Sequence, residues 1–212
     1  MLENILGETI PFSEPKAREQ FLEKLTLFGN LLKKWNKVYN LTAITDTTEI
    51  AHKHFLDSLL VLPYLQGNRI LDVGTGAGLP GIPLALSCPD KQFVLLDSNS
   101  KKTRFLKQAV TELALKNVEI VHSRIEEYAP EIKFDIVLTR AFAQLDIIVQ
   151  KTAHVLAPQG EIIAMKGKCE EEELSALSGE FEIREVVRLD TTMKTAQQLG
   201  ARHIIRITKK GI

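Results

Sequence analysis

The chain has 212 residues, 44% hydrophobic and 25% charged, the make-up of an ordinary globular protein with room for one main core and an appendage. Lysine plus arginine (27) balance aspartate plus glutamate (27), so a nucleic-acid partner would have to be met by a local basic patch and not by a whole-molecule field. No apolar run approaches the roughly 20 residues a bilayer span needs, and "MLENILGETIPF" lacks the basic-then-apolar pattern of a leader. The cysteines, Cys88 and Cys169, stand far apart outside any CxxC spacing, which supports neither a disulfide framework nor a zinc site. These features predict a cytoplasmic protein with no membrane partner and no metal.

In chain order, the first signal is helical. From Pro15 to Asn36 the residues Phe21, Leu25, Phe28, Leu32 and Trp35 recur at steps of three and four, the spacing of one helix face. Trp35 continues that stripe, so it is expected in the core even though Lys33, Lys34, Lys37 and Tyr39 surround it with the mixture that stacks on unpaired bases. Residues 47–62, with Ile50, His54, Phe55, Leu59 and Leu62, predict a second helix; Asp46 or Thr47 is placed to cap it and Glu49 to return the bond. His52 and His54 fall on different sides of such a helix, which speaks against paired metal ligands.

After Gly67 the rhythm changes. Short β-type runs, "RILDV", "FVLLD", "VEIVH", "FDIVLT" and "EIIAMK", alternate with helical stretches near 81–88, 100–115 and 144–156. That alternation predicts βαβ units and a mostly parallel sheet covered on both faces, an α/β core over 67–212 behind a helical extension over 1–66. The final runs, "REVVRLD" and "HIIRIT", have only "TTMKTAQQLGAR" between them, short for a parallel crossover, so an antiparallel hairpin at the sheet edge is expected. The acidic run at 170–173 begins a solvated helix.

Residues 72–81, "DVGTGAGLPG", follow the first strand, and two ligand classes suit a strand, a glycine loop and a helix in this order. Gly76 to Gly81 satisfies the GxGxxG of a dinucleotide fold, with Asp97 at the end of the next strand where a ribose-binding acid belongs. Read that way the chain would be an NAD-binding oxidoreductase. Asp72 argues otherwise, because a carboxylate just before the first glycine repels a pyrophosphate and favours a cationic amine. S-adenosylmethionine carries an amine and a sulfonium and no phosphate. Asp72 followed by Gly74, Gly76 and Gly78 therefore fits a class I (Rossmann-like) methyltransferase better, with Asp97 accepting from both ribose hydroxyls. A turn that merely packs strand on helix explains one glycine but not four with two placed acids.

The third strand ends in Arg124-Ile125-Glu126, where the loop would flank an adenine, with Ile125 on the ring face. The fourth ends in Thr139-Arg140-Ala141, at the position that faces the transferred carbon. It carries no Asp/Asn-Pro-Pro-aromatic run of exocyclic-amine methylation, no nearby cysteine of pyrimidine C5 methylation and no evident general base. A ring nitrogen with a free lone pair, such as guanine N7, needs alignment and electrostatics but no proton abstraction. Arg140 either bonds guanine O6, leaving N7 free, or closes the cofactor pocket through a salt bridge. Lys101, Lys102, Arg104 and Lys107 open the helix after Asp97 as a basic patch suited to phosphate, or simply as solubilising charge. Lys166, Lys168, Arg202 and His203 fall at strand ends on the ligand side of the sheet.

The strings "WNKVYNLT", "HFLDSLL", "DVGTGAGLPGIPLAL", "LLDS", "KKTRFL", "RAFA" and "MKG" together resemble the bacterial 16S ribosomal RNA guanine-N7 methyltransferases, the glucose-inhibited division protein B family, over nearly the whole chain. The resemblance implies a seven-stranded methyltransferase core that uses S-adenosylmethionine, releases S-adenosylhomocysteine and acts on the decoding-region loop of 16S rRNA, naked or in the 30S subunit. It places cofactor contacts at Gly74, Leu79, Ile125, Glu126 and Arg140, which assigns Arg140 chiefly to the cofactor side. A monomer is expected. A small-molecule methyltransferase remains the alternative, since the glycine loop does not distinguish acceptors.

Overall fold

A computed structural model describes residues 1–177, 179–189 and 199–211. The chain opens with a short helix, α1 (Leu2–Leu6), and a 3-10 turn that the sequence pattern did not announce. α2 (Pro15–Tyr39) starts where the Glu14 carboxylate accepts the N–H groups of Lys16 and Ala17, with Pro15 at the first helical position, and stops at left-handed Asn40. It outruns the expected end at Asn36 because the apolar stripe continues: Trp35 stacks on Tyr39, centroids 5.3 Å apart.

The second expected helix is three segments: α3 (Thr47–Ile50), a π-wound turn (Ala51–Leu56) and α4 (Asp57–Leu59). Asp46 is the cap, accepting the Glu49 N–H at 2.9 Å, and Glu49 pairs with Lys53 instead of returning the bond. The wider π turn shifts the phase of the faces, and His54 through Val61 are all buried, which a regular amphipathic helix does not allow.

The core follows as β1 (Arg69–Val73), α5 (Gly81–Ser87), β2 (Gln92–Asp97), α6 (Ser100–Glu112), β3 (Val118–His122), β4 (Phe134–Arg140), α7 (Leu145–Thr152), β5 (Leu156–Lys166), α8 (Glu171–Ser175), β6 (Phe181–Arg188) and β7 (His203–Lys209). They form a seven-stranded sheet of order β3-β2-β1-β4-β5-β7-β6. The first five strands are parallel; β7 runs antiparallel between β5 and β6, the hairpin expected at that edge. Residues 190–198 of the link between β6 and β7 lie outside the described residues. β5 starts earlier than the run "EIIAMK", with a register shift beside Phe134 where Gly160 permits close approach: a Cβ there would stand 2.8 Å from the Phe134 carbonyl oxygen.

From β1 the chain winds outward through β2 and β3, then returns to the other side of β1 for β4 and β5. The strand order therefore reverses at β1/β4, where a crevice opens at the carboxyl ends. One face of the sheet joins the extension in a single apolar cluster: Phe28 lies 5.8 Å from Phe55 and 6.3 Å from Phe105, and Trp35 lies 5.7 Å from Phe105. Burial of such aromatic side chains is worth about 1.5–3 kcal/mol each, enough to seat α2 firmly on α6. α7 covers the other face through Leu145, Ile148 and Val149.

Candidate active site

The loop between β1 and α5 is bare because it is pinned on three sides. Gly74 and Thr75 both donate their N–H to the Leu96 carbonyl, and Gly76 donates to Asp97 Oδ2 at 2.9 Å. Gly78 has φ +83°, and a Cβ there would come within 2.9 Å of Ile82 and Leu106, so glycine alone lets the loop settle onto the helices. Gly74 has φ +68°, and its Cβ would meet the Phe142 ring at 3.1 Å.

Asp72 lies beneath this loop. Its Oδ2 accepts the Thr75 hydroxyl at 2.7 Å and the Gly81 N–H at 2.9 Å, while Oδ1 is buried with no partner. Burial pushes the carboxyl up to about 6, against the pull of Thr75 and Gly81. Of the three buried side-chain polar atoms without a partner among the described residues, Asp72 Oδ1 and Thr139 Oγ1 both sit at the carboxyl ends of the central strands. Each is a buried polar atom whose partner the protein itself does not supply.

In front of the loop is a cavity of about 330 Å³, lined by Gly74, Asp97, Lys102, Ile125, Arg140 and Phe142 among others. Asp97, at the end of β2, is buried; besides Gly76 it accepts the Asn99 N–H at 2.8 Å, and Lys102 Nζ stands 3.7 Å from Oδ2. Ile125 is 3% exposed and supplies an apolar wall. Phe142 reaches over Gly74 because Ala141 takes a left-handed φ of 51°, a strained turn directly after Arg140. Beside it Lys151 pairs with Glu126 at 2.6 Å, and its ammonium lies 5.9 Å from the Phe142 ring centroid. An apolar wall, a placed carboxylate and a backbone without side chains fit a nucleoside.

A second cavity, of about 430 Å³, shares Arg140 and Ala141 with the first and is bounded by His54, Asp57, Lys166 and Arg202. Lys166 pairs with Glu173, which also accepts the Leu145 N–H. His54 Nδ1 donates to the Lys53 carbonyl and Nε2 accepts from the Thr42 hydroxyl, so both ring nitrogens are engaged. Burial and the neighbouring Arg140 charge push His54 down to about 4, which keeps it neutral. Burial pushes both thiols, Cys88 and Cys169, above the usual range, so neither is poised as a nucleophile. No cluster of potential metal ligands occurs, and no helix is long and apolar enough to cross a membrane, among the described residues.

The expected cofactor residues divide into two groups. Gly74, Asp97, Ile125, Glu126 and Arg140 line the first cavity, whereas Asp72, Gly76, Gly78 and Leu79 build the loop behind it. Asp72 therefore does not face the cavity as a partner for an amine, and Leu79 packs into the apolar cluster. The expected basic patch also splits: Lys102 turns into the first cavity beside Asp97, while Lys101 and Arg104 remain exposed on α6. Lys166 and Arg202 border the second cavity. The sequence reading missed Asp57, Phe142 and Lys151. The first two stand inside "HFLDSLL" and "RAFA"; Lys151 gave no signal beyond an ordinary helix surface.

A family model described as GidB, rRNA small subunit methyltransferase G, matches residues 21–205. The chain is 48% identical to the ribosomal RNA small subunit methyltransferase G of Actinobacillus succinogenes, covering 96% of this chain and 93% of that protein. It is 50% identical to the protein of the same name from Hydrogenovibrio crunogenus, covering 93% and 89% respectively. Among solved structures, a SAM-dependent methyltransferase from Thiobacillus denitrificans in complex with S-adenosyl-L-homocysteine superposes with a TM-score of 0.54 at 16% identity, over 80% of this chain and 99% of that one. At that identity the likeness speaks to the fold alone.

Proposed function

The chain belongs to the GidB family, rRNA small subunit methyltransferase G, and on that footing we propose that it transfers the methyl group of S-adenosylmethionine to N7 of a guanine in the 16S rRNA of the small ribosomal subunit. The observation that carries this reading is the pair of cavities meeting at Arg140 and Ala141: one suited to a nucleoside cofactor, the other open to an acceptor.

When bound, S-adenosylmethionine would supply an electrophilic methyl carbon on a sulfonium; the guanine N7 lone pair would form the new N–C bond as the C–S bond breaks, its electron pair leaving on the sulfur of S-adenosylhomocysteine, and no proton need be removed. The protein's task is then to bind, orient and exclude. Asp97 would accept from the ribose hydroxyls while still fixing Gly76, and Ile125 would back the adenine, with Phe142 closing over the loop. Asp72 acts on a cation indirectly, as a buried negative charge under the loop whose field is weakly screened. Arg140, on the shared wall, would donate to guanine O6 and leave N7 free. A base is not required, and His54, with both nitrogens occupied, is not available as one.

Two measurements test the reading. Calorimetry should give binding of S-adenosylhomocysteine and none of NAD. Incubation with labelled S-adenosylmethionine and undermethylated 30S subunits should put label in 16S rRNA; label that enters only a pool of small metabolites would favour a small-molecule acceptor and overturn it.

A further inference from the structure

The two arginines beside the second cavity share one anion, and it comes from outside the sheet. Asp57 begins α4 directly after the π-wound turn and is buried, 6% exposed. Its Oδ2 accepts Arg140 Nη1 at 3.1 Å and its Oδ1 accepts Arg202 Nε at 2.8 Å. Arg140 ends β4 and Arg202 leads into β7, and these strands flank β5 in the sheet. A single carboxylate of the helical extension therefore bridges the carboxyl end of β5 and fixes one guanidinium on either side of it.

The attachment is economical with donors. Arg202 Nη1 also donates to the Ala201 carbonyl, but Arg140 makes no second hydrogen bond among the described residues, so N–H groups of both arginines stay unspent at the cavity. Two guanidinium charges against one carboxylate leave the mouth of the cavity electropositive, with Lys168 adding to it and neutral His54 not opposing it. Fixed forks of N–H donors suit base-edge carbonyl and phosphate oxygens. An arginine free to swing would lose that geometry.

We propose that Asp57 is a positioning residue for the acceptor: it holds Arg140 and Arg202 as a rigid pair that grips the target nucleotide in the second cavity, Arg140 at the base and Arg202 at its phosphate. This rests on the reading of the substrate as an RNA guanine. It gives the helical extension a part in the reaction, because Asp57 belongs to the extension and both arginines belong to the core.

The test compares the wild type, Asp57→Asn, Arg202→Gln and the double variant for methylation of undermethylated 30S subunits, alongside calorimetry with S-adenosylhomocysteine. Asp57→Asn keeps the side-chain size and removes the charge. It should lower kcat/KM for the RNA by roughly tenfold or more while cofactor-product affinity changes by less than about threefold. In the Arg202→Gln background the same substitution should have clearly less effect, since the two act through one contact. If Asp57→Asn does not fold, Asp57→Glu takes its place in the same cycle, keeping the charge but displacing it. Full additivity, unchanged RNA kinetics, or equal losses for RNA and S-adenosylhomocysteine would overturn the inference while leaving the substrate reading intact. A wild-type enzyme that labels no ribosomal RNA would overturn both.

Discussion

Asp97, on the wall of the first cavity, is joined to Gly76 in the loop behind it, the Gly76 N–H donating to Asp97 Oδ2 at 2.9 Å. One carboxylate thus ties the end of β2 to the loop after β1, and it is the group proposed to accept from the ribose hydroxyls. Asp97→Ala is expected to weaken S-adenosylhomocysteine binding by at least roughly tenfold, as loss of charge-assisted hydrogen bonds implies. Calorimetry on the variant checks this; wild-type affinity would remove Asp97 from the ligand contacts.

The glycines of the loop are not equivalent. A Cβ on Gly76 would meet nothing closer than 3.8 Å, so Gly76→Ala bears only the left-handed backbone penalty, about 1–2 kcal/mol. A Cβ on Gly78 would stand 2.8–2.9 Å from Ile82 and Leu106, which adds an overpacking cost of about 1–3 kcal/mol. Denaturant unfolding should therefore find Gly78→Ala distinctly less stable than Gly76→Ala. Equal stabilities would mean that the loop is looser against α5 and α6 than the contacts imply.

The basic patch on α6 should separate into two functions. Lys101 and Arg104 face solvent, whereas Lys102 lies 3.7 Å from Asp97. Replacing Lys101 and Arg104 together by alanine should reduce rRNA methylation, with a shallower salt dependence than wild type and cofactor binding preserved. Lys102→Ala should instead alter affinity for S-adenosylhomocysteine. Identical salt slopes for the double variant and the wild type would show that these two side chains do not meet phosphate.

The fold was largely legible because its signals are local. Alternating β-type and amphipathic runs marked five parallel strands, and the short link after "REVVRLD" marked the antiparallel edge. The π-wound turn was not legible: the buried run from His54 to Val61 depends on packing against Arg140, Arg202 and the apolar cluster, none of which is local in sequence. The glycine loop and Asp97 marked the cavity at the carboxyl end of β1, but spacing alone could not say which way Asp72 turns. A side chain on β1 has two faces to choose between, and the Gly81 N–H and Thr75 hydroxyl draw this one under the loop. Asp57 escaped for a similar reason, since its partners are Arg140 and Arg202, far along the chain.

Two buried groups should give opposite pH responses. His54 is lowered from 6.5 to about 4 in the folded state, so the unfolded chain binds its proton more readily; the stability it allows is full above pH 6.5 and lost as pH falls towards 4. Asp72 is raised from 3.8 to about 6, so its contribution is full below pH 3.8 and lost as pH rises through 6. Each shift corresponds to something on the order of 3 kcal/mol. The melting temperature of His54→Gln relative to wild type should therefore climb as pH falls from 6.5 towards 4, and that of Asp72→Asn should climb as pH rises from 4 past 6. Flat difference curves would mean that both groups titrate normally.

Locating the transferred methyl group decides whether the protein methylates guanine N7. Undermethylated 30S subunits treated with this protein and isotopically labelled S-adenosylmethionine are digested to nucleosides and sequence-mapped fragments for mass spectrometry. Labelled 7-methylguanosine is expected at one position in the 16S rRNA. Label on a pyrimidine carbon or an exocyclic amine would contradict it, since the tip of β4 carries neither a neighbouring cysteine nor the Asp/Asn-Pro-Pro-aromatic run usual for those acceptors.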